Sequence, residues 1–224
     1  MHLTLRGMTA TDIITELRHL AEPEYRNFAA ALIPGEHELW GVRLPALRRL
    51  AKKAARKDWC RIFHALKEER CMEAVMLRGM LPGYAPQATW DERLAALKDF
   101  VPSIRNWSIC DSCCITYKFV REHQNAALSF LMPYLHSAGE YEARFGVVML
   151  LDHFLTTSQQ AELVAELLPQ VHCSAYYARM AIAWCACELH LRYPTLAATT
   201  LPRLHPEVQA LTQRKIRESH RRLS

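Results

Sequence analysis

An apolar-flanked proline recurs along the chain from position 102 onward. Phe-Val-Pro-Ser-Ile at Pro102, Leu-Met-Pro-Tyr-Leu at Pro133, Leu-Leu-Pro-Gln-Val at Pro169 and Leu-Pro-Arg-Leu at Pro202 follow one another at intervals of 31, 36 and 33 residues. The text between them carries apolar residues at helical spacing and no strand-like alternation. A period of this length in all-helical text is the signature of stacked antiparallel helix pairs, none of which can bury its apolar face alone. With eleven prolines in the chain, some regularity also arises by chance.

The helical reading extends over the whole chain. Thr11 or Asp12 is placed to cap a first helix ending before Pro23, and further helices are predicted over 24–32, 46–56, 59–68, 71–80 and 90–99. After these come 125–136, 141–155, 158–171, 175–191 and a basic tail over 213–223. Seven glycines, none in a Gly-x-Gly-x-x-Gly or phosphate-loop pattern, argue against a nucleotide-binding α/β domain. The amino-terminal stretch lacks the apolar core of a secretory signal, and no run reaches the about 18 apolar residues of a membrane span. A cytosolic chain with reduced thiols is therefore expected. Cys110 with Cys113, and Cys185 with Cys187, raise a zinc site as an alternative. The second spacing does not suit a zinc knuckle and both pairs lie in apolar helical text, so core filling is the expected role.

The net charge of +5 permits an anionic partner without requiring one. Its distribution says more. Arg48, Arg49, Lys52, Lys53, Arg56 and Lys57 follow one another with no intervening acid, more than solubility needs, and the tail adds Arg214, Lys215, Arg217, Arg221 and Arg222. The stretch 101–119 holds the other unusual feature. Trp107 and Asp111 stand four apart, on one helical face, among Ile104, Ile109, Cys113, Cys114, Ile115 and Phe119, where a charge must find a partner. Arg144 lies 37 residues beyond Trp107, and Trp184, on the same predicted helix as Arg179, a further 40. In a stack of helix pairs that spacing returns to one face. Asp111 and Arg144 read equally as a structural ion pair, and the tryptophans as core aromatics.

Four stretches resemble the DNA alkylation repair family, the AlkD-like glycosylases: Gly41-Val42-Arg43-Leu44-Pro45-Ala46-Leu47-Arg48-Arg49-Leu50-Ala51-Lys52, Asn106-Trp107-Ser108-Ile109-Cys110-Asp111-Ser112, Ala143-Arg144-Phe145 and Ala181-Ile182-Ala183-Trp184. The resemblance implies an all-α, curved right-handed solenoid of antiparallel HEAT-like helix pairs. It would form one domain over 1–224, with the amino-terminal and basic helices in 1–58 and the repeats that make a concave cleft in 59–224. It implies a glycosylase that removes N3- or N7-alkylated purines from duplex DNA, acting as a monomer in the cytosol, at the nucleoid when DNA-bound, without cofactor or metal. The catalytic aspartate would be Asp111, flanked by Trp107 and Trp184, with Arg144 in the cleft. Arg43, Arg48, Arg49, Lys52, Lys53, Arg179, Arg214, Lys215 and Arg217 are the expected DNA contacts. Where the family's active branch carries a cation after Trp184 this chain has Cys187. That departure keeps open a protein that binds DNA without excision, or a scaffold.

Overall fold

The computed structural model describes residues 8–219. Among them lie thirteen α-helices and four short 3-10 turns, and the extended pairing is limited to an isolated antiparallel bridge between Ala21 and Val42. The expected all-α class is borne out. No described helix is long and apolar enough to cross a membrane. The chain divides into two compact units, one ending at Tyr117 and the other beginning at Lys118.

The first unit holds α1 (Ala10–His19), α2 (Pro23–Leu32), α3 (Leu44–Ala55), α4 (Trp59–Ala65), α5 (Met72–Tyr84), α6 (Trp90–Phe100) and α7 (Trp107–Cys114). Helix α5 is its centre: α3 packs along one flank, α7 along the other, and α4 and α6 lie against it as well. The core is built from Leu47, Ala51, Ile62, Phe63, Leu77, Met80, Leu97 and Phe100, all at most 1% exposed. Helix α7 approaches α5 closely at Gly79, where an added Cβ would lie 2.6 Å from Cys113 Sγ. The Tyr117 hydroxyl donates to the Gly79 carbonyl at 2.7 Å and locks the contact.

The second unit holds α8 (Gln124–Leu135), α9 (Glu140–His153), α10 (Ser158–Leu167), α11 (Tyr176–Arg192), α12 (Pro194–Thr200) and α13 (Pro206–Glu218). Here α11 is central, with α9 and α13 beside it and α12 behind, while α8 backs α9. Within each unit, then, one central helix is packed between two others, and further helices lie against them.

The recurring prolines punctuate this pattern. Pro102, Pro169 and Pro202 each sit second in a 3-10 turn, Val101–Ser103, Leu168–Gln170 and Leu201–Arg203, directly after α6, α10 and α12. A proline cannot donate to the helix it follows and its fixed φ suits the tighter turn. Pro133 departs from the pattern and lies inside the last turn of α8. Helix starts are written locally: Thr9, Thr89 and Thr157 form capping boxes with Asp12, Glu92 and Gln160. Asp12, expected as a possible cap, is the third helical residue, and its carboxylate reaches back to the Thr9 N–H at 2.8 Å.

Three further elements differ from expectation. Helix α5 runs past Met80 to Tyr84 with Pro82 inside it. So close to a helix end, a proline removes only the bond to the carbonyl four residues earlier. Helix α12 was not expected; it is seven residues long and ends in two β-branched threonines, too short to show a period. The last helix starts at Pro206 and ends at Glu218 rather than covering 213–223, and Arg221 and Arg222 lie outside the described residues. Seven of the eight cysteines are buried, Cys60 being exposed. Burial pushes the Cys113 thiol well above its usual range, which makes it a small apolar filler rather than a nucleophile.

Candidate nucleic-acid interface

The start of α7 is held by a part of the chain far away in sequence. Asn106 caps the helix by accepting the Ile109 N–H at 2.9 Å. Its own amide donates to Glu36 Oε2 at 2.7 Å, across 70 residues. Glu36, with a side chain only 4% exposed, also pairs with Arg105 Nε at 3.0 Å, and Arg105 donates in turn to the Arg70 carbonyl at 2.7 Å. One residue further, the Trp107 indole N–H donates to the Leu32 carbonyl at 3.3 Å, satisfying one of the carbonyls that the end of α2 leaves open. The indole edge is thus tied down. Asp111, one turn beyond on the same helix, is half-buried. Between α2, α3, α5 and α7 is a cavity of ≈ 220 Å³ lined by Tyr25, Leu32, Leu44, Met76, Trp107 and Ser112.

Glu36 was not among the residues singled out from sequence, and no local signal marks it. Its removal tests the clamp. Glu36→Ala is expected to destabilise the protein by about 2 kcal/mol, the loss of charge-assisted hydrogen bonds at a shielded carboxylate, read by chemical denaturation.

The cations of this unit that were expected to contact DNA divide into three sets. Arg43 is committed to α2: it pairs with Glu22 at 2.9 Å and its guanidinium lies 4.8 Å from the Tyr25 ring centre. Arg49, Lys52 and Lys53 are exposed and, with Arg56 and Lys57, line an open groove on α3. Lys52 Nζ is 5.2 Å from the Tyr84 ring centre. Arg48, by contrast, is half-buried. Side chains three and four apart share a helical face, which is how one short helix gathers this ridge without an intervening acid.

In the second unit, Arg144 is 5% exposed, and its Nη1 donates to the Tyr177 carbonyl at 2.8 Å. Tyr177 is itself fixed, its N–H donating to Glu140 Oε1 at 2.7 Å and its ring stacked on Tyr141 with centroids 5.8 Å apart. Trp184 is half-buried midway along α11. Arg179 forms an ion pair with Glu207 of α13. That pair bounds a ≈ 540 Å³ cavity also lined by His172, Arg203 and His205. Arg214 pairs with Glu218 at 2.8 Å on the exposed side of α13, Lys215 is half-buried, and Arg217 is exposed.

Layered helices, a carboxylate one turn past a tethered indole and an acid-free cationic helix face define an all-helical protein equipped to meet a polyanion. The model of a family described as DNA alkylation repair enzyme matches residues 13–218. The chain belongs to this family, as the resemblance of its four stretches implied, and a role in DNA alkylation repair with DNA as partner comes with membership. Neither curated proteins nor solved structures returned a match.

Proposed function

We propose that the protein hydrolyses the N-glycosidic bond of N3- or N7-alkylated purines in duplex DNA. The observation that most supports this reading is Asp111, half-buried on a helix whose first residues are fixed from α2 and Glu36. Alkylation at N3 or N7 makes the purine cationic. When the C1′–N bond breaks, its electron pair leaves with the base, which departs neutral, and the positive charge passes to the sugar. A carboxylate beside that sugar stabilises the oxocarbenium-like species and orients the water that adds to C1′. The face of the Trp107 indole, its edge held by Leu32, is suited to the same developing charge.

On this reading Arg144 holds a backbone phosphate and Trp184 offers a second indole face. The exposed ridge of α3, with Arg214, Lys215 and Arg217, supplies sequence-independent attraction to the duplex. The recurrent helix, 3-10 turn, helix unit fits HEAT-like helix pairs. Loss of a cationic purine needs no cofactor, and a single copy of the chain, in the cytosol, suffices.

The test is release of 3-methyladenine and 7-methylguanine from methylated duplex, measured by chromatography against the spontaneous rate. Release well above background is expected. One observation favours a second reading: Cys187 is 5% exposed and apolar where the family's active branch carries a cation. A protein that only binds damaged DNA would show salt-dependent affinity and no released base at any pH.

A further inference from the structure

Three tyrosines of the second unit gather where α9 and α11 begin. Tyr141 and Tyr177 stack with ring centroids 5.8 Å apart and planes 26° from parallel, and Tyr176 meets Tyr177 edge to face at 5.1 Å. The arrangement is fixed through the backbone of Tyr177: its N–H donates to Glu140 Oε1 at 2.7 Å, and its carbonyl accepts from the buried Arg144 at 2.8 Å. Tyr141 and Tyr177 are half-buried, whereas Tyr176 keeps 55% of its surface in solvent. Among the described residues of this unit it is the one large apolar side chain so exposed. A ring left in water is ordinarily free to turn, and this one is braced against a pinned neighbour. The surface continues along α11. Tyr177, Met180 and Trp184 are all half-buried and recur at helical spacing, a stripe about 10 Å long on one face. No acid occurs from Tyr176 to Cys187, and Arg179 is the one charge.

We infer that Tyr176, braced by Tyr177 and Tyr141, is a stacking platform for an unpaired nucleobase of the bound DNA. This deepens the proposed function: it rests on the part of that reading in which α11 faces DNA through Trp184, and not on excision. A fully paired duplex offers a protein phosphates and base edges, because the faces of its bases are spent on one another. A phenol ring has nothing to stack on there. A base that has left the stack presents a flat, sequence-neutral face, and aromatic side chains are what proteins set against it. Phosphate attraction alone would be served by cations, yet this end of α11 carries rings. Bracing matters for the same reason: a ring already held in place gives up little freedom when a base settles on it. The platform therefore favours DNA in which one base is out of its pair, whether in a bulge within the duplex or in a single strand running on from its end.

The test compares three undamaged probes at one salt concentration: a fully paired duplex, the same duplex with a one-nucleotide bulge, and the same duplex with a short single-stranded tail. The unpaired position carries 2-aminopurine, whose fluorescence falls when it stacks. The natural protein is expected to bind the bulged or the tailed probe about tenfold more tightly than the paired duplex, with quenching. Tyr176→Ala should bring that ratio to within about twofold of one and abolish the quenching, with affinity for the paired duplex and melting temperature both unchanged, because the ring it removes is exposed. Tyr176→Phe should keep the preference, since the ring face and not the hydroxyl carries it. A preference for the bulge alone assigns the platform to a base displaced within the duplex, and a preference for the tail alone to an adjoining single strand; either supports the inference. Equal affinity of the natural protein for all three probes overturns it. So does Tyr176→Ala that melts several degrees lower and keeps the preference, which would make the tyrosines structural. A natural protein that binds none of the probes sinks the functional reading and this inference together, whereas base release and duplex binding without any preference sink the inference alone.

Discussion

Asp111→Asn is expected to slow release of alkylated purines from duplex DNA by about 100-fold or more, the scale on which enzymes lose rate when one preorganised electrostatic group is removed. Asparagine matches aspartate in size and keeps a hydrogen-bonding oxygen, so the substitution removes charge and little else. The charge is what the reaction needs: the positive charge leaves the purine and forms on the sugar, and an amide offers it only a dipole. Duplex affinity should hold or rise slightly, because a carboxylate near a polyanion repels it. Single-turnover release and equilibrium binding, measured on the same preparations, separate the two effects. If Asp111 is instead a structural ion-pair partner, the pattern inverts. Asp111→Asn would then melt several degrees lower and release base as fast as the natural protein.

The local chemistry of this chain could be read from sequence and its long-range chemistry could not. Thr89 with Glu92 and Thr157 with Gln160 announce helix starts three residues apart, and Pro102, Pro169 and Pro202 mark ends through a constraint carried by the residue itself. Trp107 and Asp111 are legible for the same reason, being one turn apart on one helix. The partners that hold them are not. Glu36 meets Asn106 across 70 residues, and only the packing of α2, α5 and α7 brings them together. Arg144 shows the other limit. A charged residue beside an apolar run reads as an edge, yet its guanidinium is buried because a backbone carbonyl on the next long helix is there to accept from it. Arg48 is similar: in sequence it is one cation of six, and only packing shows that it is half-buried, with its Nε shielded and without a hydrogen-bond partner among the described residues.

Glu73→Ala is expected to have the largest effect on stability of any single change in the first unit. Glu73 is 1% exposed, on the first turn of α5, and its carboxylate fills the inside of a turn. Oε1 accepts the N–H groups of Trp40, Gly41 and Val42 at 3.1, 2.6 and 3.1 Å, and Oε2 accepts the Cys71 thiol at 3.2 Å. The turn exists in this shape because Gly41 takes a φ of +91°, where a side chain would be strained and would also meet the Arg26 backbone N at 2.7 Å. Burial and the adjacent Glu73 carboxylate push the Cys71 thiol above its usual range. Alanine would leave three convergent backbone donors buried without an acceptor, at about 1–3 kcal/mol each if the turn cannot open to water. Allowing for some opening, a total of about 3–5 kcal/mol is expected, a fall in melting temperature on the order of 10 °C. Glu73→Gln should lose less, because its carbonyl oxygen still accepts while its amide faces the same donors. The turn leads directly into α3, so the loss reaches function: the ridge of Arg49, Lys52 and Lys53, and Arg48 beside it, depend on this carboxylate for their placement. Duplex affinity that falls in step with melting temperature from natural protein to Glu73→Gln to Glu73→Ala, at temperatures where all three are folded, would show that coupling. Affinity that stays constant while stability falls would show that α3 keeps its place without the turn.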